Sequence, residues 1–146
     1  MNNMEKTFFI IKPEAFSERD KIKSHIAAHP KLKVAESMVL IPDDADIKTL
    51  YTDDIGTDLQ IAAKCHLVGK EVEVGIVQGE NAIDEFIRLC GKDPDNNLCE
   101  ENTIRRIFGK KDVVKYGDTT YFLNAIHKSS RNEAEGSVQW YYEKKK

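Results

Sequence analysis

The stretch "LNAIHKSS" (123–130) sets Asn124, His127 and Ser129 at the end of a mostly apolar segment, with Lys128 directly after the histidine. A histidine in that position is more often a structural side chain reaching water than a catalyst. If a substrate reaches it, its chemistry is that of a nucleophile. With an ordinary pKa of about 6.5, imidazole is mostly neutral near neutral pH and needs no strong base to activate it. Two basic sites accompany it. Lys12 closes "KTFFIIK" before Pro13, and "TIRR" (103–106) puts Arg105 and Arg106 beside a polar loop. A guanidinium pair can hold phosphate bidentately, although a solvated strand end and a surface helix turn are the commoner explanations of such residues. The sequence has no GxxxxGK[ST] and no GxGxxG, so any phosphate site has to be built from side chains scattered along the chain.

Bringing those side chains together requires the following elements. "KTFFIIK" (6–12) is a continuous apolar and aromatic run that predicts a buried strand ending before Pro13. "SERDKIKSHIAAHP" has Ile22 and Ile26 on one helical face and stops before Pro30, a short helix. "KLKVAESMVLI" alternates like a half-exposed strand, with an irregularity around Ala35. "PDDADIKTLYTDDIG" predicts a helix with an N-cap at Asp43 or Asp44 and one face formed by Ile47, Leu50, Tyr51 and Ile55. "TDLQIAAKCHLVG" is a second helix, capped by Thr57 or Asp58 and closed by Gly69. "EVEVGIVQG" is a strand, and "NAIDEFIRLCG" a helix carrying Ile83, Phe86, Ile87 and Cys90 at helical spacing. Residues 92–101 read as loop and "NTIRRIFG" as a short helical turn. "KKDVVKYGD" resists assignment, "TTYFLNAIH" is a last strand, and "NEAEGSVQWYYEKKK" is an amphipathic helix with Ala134, Val138, Tyr141 and Tyr142 on one side. This order predicts an α/β (α+β) sandwich with helices on one face of about four strands. A ferredoxin-like four-stranded antiparallel sheet is its natural arrangement.

At 146 residues and 40% hydrophobic content, the chain suits one domain spanning 1–146. A net charge of −3 from 22 basic and 25 acidic residues gives no global field for nucleic acid or an anionic membrane. The N-terminal apolar run is too short for a signal peptide or a membrane span. Three cysteines, odd in number and without CxxC or zinc spacing, predict reduced thiols in a cytoplasm, each packed as a small buried hydrophobe.

"TFFIIKPEAF" (7–16), "GENAI" (79–83), "TIRRIFG" (103–109) and "NAIHKSS" (124–130) occur in the order and approximate spacing of the nucleoside diphosphate kinase family, which the sequence resembles over nearly its whole length. The resemblance implies a phosphotransferase that moves a γ-phosphate from a nucleoside triphosphate to a nucleoside diphosphate by a ping-pong route. His127 would be the phosphoryl acceptor. Lys12 and Asn124 match residues that hold the sugar and phosphates, Tyr51 matches a tyrosine flanking the histidine, Arg105 matches a phosphate-binding arginine, and Ser129 matches a serine near the histidine. The resemblance also implies Mg2+ held mainly by the nucleotide's phosphates rather than by the protein, and a homo-oligomer.

The sequence departs from the family pattern at several of these positions. The second phosphate-binding arginine is expected at Ile87, whereas this chain has Arg88, about 100° further around the helix. Lys92 is nearest to where a threonine is expected. The phenylalanine that stacks on the base is Leu59, with Ala63 close by, which predicts weak, unselective base binding. Lys128 and Ser130 stand where the family has glycine and aspartate. The glutamate that orients the histidine aligns with Ser137, or with Val138 without a gap; Glu133 and Glu135 are candidates to substitute for it. Residues 109–123 include an insertion relative to the family, and Leu123 replaces an arginine. These departures leave a second reading open: a kinase-fold module that binds nucleotides or a protein and transfers phosphate weakly or not at all.

Overall fold

The computed structural model describes residues 4–54 and 56–146. Strand β1 (Met4–Ile11) is followed by a 3-10 turn starting at Pro13, helix α1 (Arg19–Ala27) and strand β2 (Leu32–Leu40). Helices α2 (Asp44–Leu50) and α3 (Asp58–Leu67) lead into β3 (Val72–Glu80) and α4 (Ala82–Cys90). The short α5 (Ile104–Phe108), the strands β4 (Val113–Tyr116), β5 (Thr119–Phe122) and β6 (Ile126–Lys128), and α6 (Arg131–Lys144) complete the chain. The main sheet has the order β2-β3-β1-β6, and every pairing in it is antiparallel. This is the expected ferredoxin-like α+β arrangement.

The helices cover both faces, not one. Alternation along β1 sends Phe8 and Ile10 into a core with α2, α3 and α6, and Phe9 and Ile11 into a second core with α1, α4 and α5. β1 is therefore buried on both sides, which is why its sequence runs apolar without alternating. Phe9 pairs with Gly75 across β3, and a β-carbon at Gly75 would collide with the Phe9 ring. The missing side chain lets the aromatic ring lie on the strand.

Local signals explain most boundaries. Asp43 caps α2 in a reciprocal capping box with Asp46, Thr57 caps α3, and Ser130 caps α6 in a box with Glu133. The register of β2 shifts between Val34 and Glu36, the irregularity expected at Ala35. Helix α2 ends at Leu50, so Tyr51 caps it instead of extending its face, and Ile55 lies outside the described residues. On α6 the buried face runs through Ala134, Ser137, Trp140 and Tyr141, while Val138 and Tyr142 are partly buried; the Trp140 indole donates to Asp46 at 3.2 Å. Cys90 and Cys99 are buried as expected, but Cys65 is exposed.

The expected last strand, 119–127, splits in two. Ala125 adopts φ +74°, a left-handed conformation unusual for alanine, and breaks β5 from β6. β5 pairs instead with β4 from the unassigned 110–118 stretch, and the two form a hairpin with Gly117 at φ +64° in its two-residue turn. Tyr116 and Tyr121 anchor this hairpin to α3. The Tyr116 hydroxyl and His66 Nδ1 are hydrogen-bonded at 3.0 Å, and the His66 and Tyr121 rings lie 4.7 Å apart. Tyr116→Phe is expected to lower stability by about 1 kcal/mol, the worth of one hydrogen bond, read as roughly 3 °C in Tm. An unchanged Tm would show that ring contacts alone hold the hairpin.

Candidate active site

β1 ends at the centre of the sheet, and Lys12, the next residue, projects into a cavity of about 280 Å³ beside β6 and the hairpin. The Lys12 side chain is buried. Its ammonium donates to Asn124 Oδ1 at 2.8 Å and sits 4.3 Å from the centre of the Tyr121 ring. Asn124 is fixed in turn by donating to the Pro94 carbonyl at 2.9 Å. Burial pulls the Lys12 pKa down to about 7, with the Arg105 charge adding to the effect and Glu14 opposing it.

Arg105 is buried and binds only backbone. Its Nε and one terminal nitrogen donate to the Ile126 carbonyl at 3.2 and 3.1 Å, and the other terminal nitrogen donates to the Asp93 carbonyl at 3.1 Å. No carboxylate neutralises it through an ion pair among the described residues. Lys12 likewise has no such ion pair, so the cavity wall carries positive charge that an anion can satisfy.

His127 pairs with Ile10 across β6 and β1, which sends its ring to the α6 side of the sheet. There it packs on Tyr51, with ring centres 4.2 Å apart and planes 32° from parallel. Burial foremost, then the charges of Lys128, Arg105 and Lys12, hold its pKa well below the ordinary value, so the ring is neutral at neutral pH. Nε2 is buried without a hydrogen-bond partner, which leaves Nδ1 as the nitrogen open to the cavity. Tyr51 also lines the cavity, and burial raises its pKa, so it stays an uncharged phenol.

The sequence profile of the nucleoside diphosphate kinase family matches residues 5–146. The chain belongs to this family of phosphotransferases. Among solved structures it is similar to the Aquifex aeolicus nucleoside diphosphate kinase, at 20% identity over 94% of each chain with a TM-score of 0.78. It is also similar to the Borrelia burgdorferi enzyme, captured as a transition-state mimic with vanadate and ADP, at 22% identity over 93% of this chain and 85% of that one, TM-score 0.73. The Encephalitozoon cuniculi enzyme gives 22% identity over 92% and 86%, TM-score 0.75. At these identities the likeness concerns the fold.

Set against the family expectations, the cavity brings together Lys12, Tyr51, Leu59, Arg105, Asn124 and His127. Leu59 is 43% exposed at its rim. Arg88 is elsewhere. Its side chain is 65% exposed, is paired with Glu85 at 3.2 Å, and lines a separate depression with Cys99 and Thr103. The one-residue shift is thus not absorbed by the helix. Arg88→Ala is expected to lower kcat/KM about twofold or less, and Arg105→Ala tenfold or more, consistent with losing one charged donor; equal losses in a steady-state assay would contradict the placement.

Ser129 and Ser137 are both buried, and neither hydroxyl has a hydrogen-bond partner, so neither holds His127 Nε2. Glu133 lines the cavity but spends its oxygens on the backbone N–H groups of Asp53 and Ser130. Sequence reasoning missed Glu14 and His66. Glu14 accepts from His66 Nε2 at 2.7 Å and from the Ala125 N–H at 3.1 Å, which helps to hold the strained Ala125 two residues before the histidine. Burial alone would raise the Glu14 pKa, but the His66 hydrogen bond and the charges of Lys12 and His66 outweigh it and keep the carboxyl below its ordinary value. The buried positions of α3, Ala62, Ala63 and His66, share one helical face, and that spacing was the available signal.

Proposed function

We propose that this chain catalyses nucleoside diphosphate kinase exchange through a phosphohistidine at His127. The observation that carries the reading is an imidazole packed on Tyr51 at a cavity whose cations, Lys12 and Arg105, have no acidic ion-pair partner among the described residues. In the first half-reaction the Nδ1 lone pair attacks the γ-phosphorus of a nucleoside triphosphate. The N–P bond forms as the bond to the β,γ-bridging oxygen breaks, and the nucleoside diphosphate leaves with that oxygen's electron pair. In the second, a β-phosphate oxygen of another diphosphate attacks the phosphorus and the N–P bond breaks. The Nε2 proton stays in place throughout, and the neutral ring returns. Positioning and charge neutralisation dominate such transfers, and Lys12, Arg105 and Asn124 supply both.

Magnesium fits as a partner of the nucleotide. Asp53 and Glu133 are carboxylates lining the cavity; Asp53 accepts a hydrogen bond from the Ser130 hydroxyl and Glu133 accepts from backbone N–H groups, so the donor set suits an ion liganded mainly by phosphate oxygens. Such an ion would neutralise phosphate charge. Assembly with copies of the same chain rests on the family resemblance, and residence in a cytoplasm on the reading of the three cysteines as reduced thiols; no described helix is long and apolar enough to cross a membrane.

One observation favours a slower enzyme or a nucleotide-binding module that transfers little. Phosphorylation of Nδ1 makes the ring cationic, and no carboxylate meets Nε2 to stabilise it. The deciding experiment is conversion of GDP to GTP at the expense of ATP and Mg2+. Turnover supports the kinase. Stabilisation of the fold by ADP without turnover supports the binding module.

A further inference from the structure

We propose that Lys128, the residue after His127, is the second phosphate-binding cation of this site and contacts the terminal phosphate of a bound nucleoside triphosphate. This inference rests on the kinase reading and assigns the charge that Arg88 does not provide.

Three observations converge on it. Lys128 lines the same cavity as His127, Lys12 and Arg105, whereas Arg88 lies outside and Lys92 is exposed at the edge. Neighbours on a strand point to opposite faces, and Lys128 pairs with Phe9 of the second core. Its side chain therefore approaches from the α4 and α5 side, where Arg105 and Cys90 are its neighbours. Finally, Lys128 is only partly exposed and makes no side-chain hydrogen bond or ion pair among the described residues.

A partly buried, unpaired ammonium beside a guanidinium is unfavourable in the absence of an anion. The titratable groups around it relieve this only in part, Glu133 being the carboxylate whose charge acts on it. Burial pushes the Cys90 thiol up to about 12, so it is uncharged; Cys99 is a neighbouring thiol; and Glu133 already serves the backbone of Asp53 and Ser130. Burial, with the Arg105 charge, accordingly pulls Lys128 down to about 8. A phosphate entering between Lys128 and Arg105 removes the repulsion and gains a charged hydrogen bond from each. Because it lines the cavity onto which His127 opens, Lys128 is assigned to the phosphate that is transferred.

Calorimetric binding of the non-transferable β,γ-imido analogue of ATP, and of ADP, tests this in the wild type, Lys128→Met, Lys128→Arg and Arg88→Met. Lys128→Met is expected to weaken the analogue about tenfold, consistent with a lost charged hydrogen bond, and ADP by less. Lys128→Arg and Arg88→Met should stay within about threefold of wild type. The Tm of Lys128→Met should not fall, because an unpaired charge is removed; Lys128→Gln provides the same test if methionine perturbs the fold. Wild-type affinity in Lys128→Met, or equal losses for ADP and the analogue, would overturn the assignment. A wild type that binds the analogue but takes no phosphate from ATP would refute the kinase reading, and the binding comparison would still decide the role of Lys128.

Discussion

His127→Ala is expected to abolish phosphate exchange, with kcat falling by at least about 10^4-fold, as when a covalent nucleophile is removed. ADP should still bind, because the cations and the rim at Leu59 are untouched. The mutation also removes a ring 4.2 Å from Tyr51, so a modest Tm change is compatible with the account. Two observables separate the possible outcomes. Lost turnover with retained ADP stabilisation places the chemistry on His127. Retained turnover would mean that another group accepts the phosphate or that none does, and the phosphohistidine route would be wrong. Ser137→Ala offers a contrast: its buried hydroxyl makes no hydrogen bond, so its loss should leave turnover within about threefold, in line with the small net worth of a hydroxyl that has no partner.

Lys12→Met is expected to lower kcat/KM by about 10^2- to 10^3-fold, the range for removing one preorganised donor from a developing anion. It should also change how binding couples to protons. In the free protein Lys12 titrates at about 7, so at pH 8 it is mostly neutral. A bound phosphate favours its charged form, and ADP binding at pH 8 should take up a proton. Affinity should therefore fall as pH rises through 7 and above. Calorimetry in buffers of different ionisation enthalpy reads this uptake directly, and in Lys12→Met it should shrink; unchanged uptake would move the titrating group elsewhere, Lys128 being the next candidate. The same shift has a stability consequence in the absence of nucleotide. A lysine whose folded pKa lies below its unfolded value costs stability fully below about pH 7. That cost is relieved as pH rises toward the ordinary lysine value, so the Lys12 contribution makes the free protein more stable in mild alkali.

Lys12, Arg105 and His127 stood out in the sequence because they lie at element ends, where punctuation is strong, whereas Tyr51, Leu59 and the role of each residue came from the family resemblance. Lys12 sits between an apolar strand and a proline, and Arg105 follows a threonine N-cap. The sheet strands followed from β-branched and aromatic runs. Three things were not legible, each for a physical reason. The two-sided burial of β1 is a property of the assembled layers, and a continuous apolar run does not say which helices cover which face. The split of 119–127 depends on the left-handed Ala125, whose N–H donates to the Glu14 carboxylate and whose carbonyl accepts from the Lys12 N–H, both far away in sequence. The exclusion of Arg88 and inclusion of Lys128 followed from side-chain direction. A one-residue step turns a helix position by about 100° and reverses a strand position, so neither could be read from spacing to a motif.

The most direct test is the intact mass of the purified protein after brief exposure to ATP and Mg2+, followed by a chase with GDP, in parallel with His127→Ala. The account predicts a gain of one phosphate in the wild type, its removal by GDP with formation of GTP, and no gain in the variant. A wild type that binds ADP yet gains no mass, or a gain that His127→Ala retains, would contradict it.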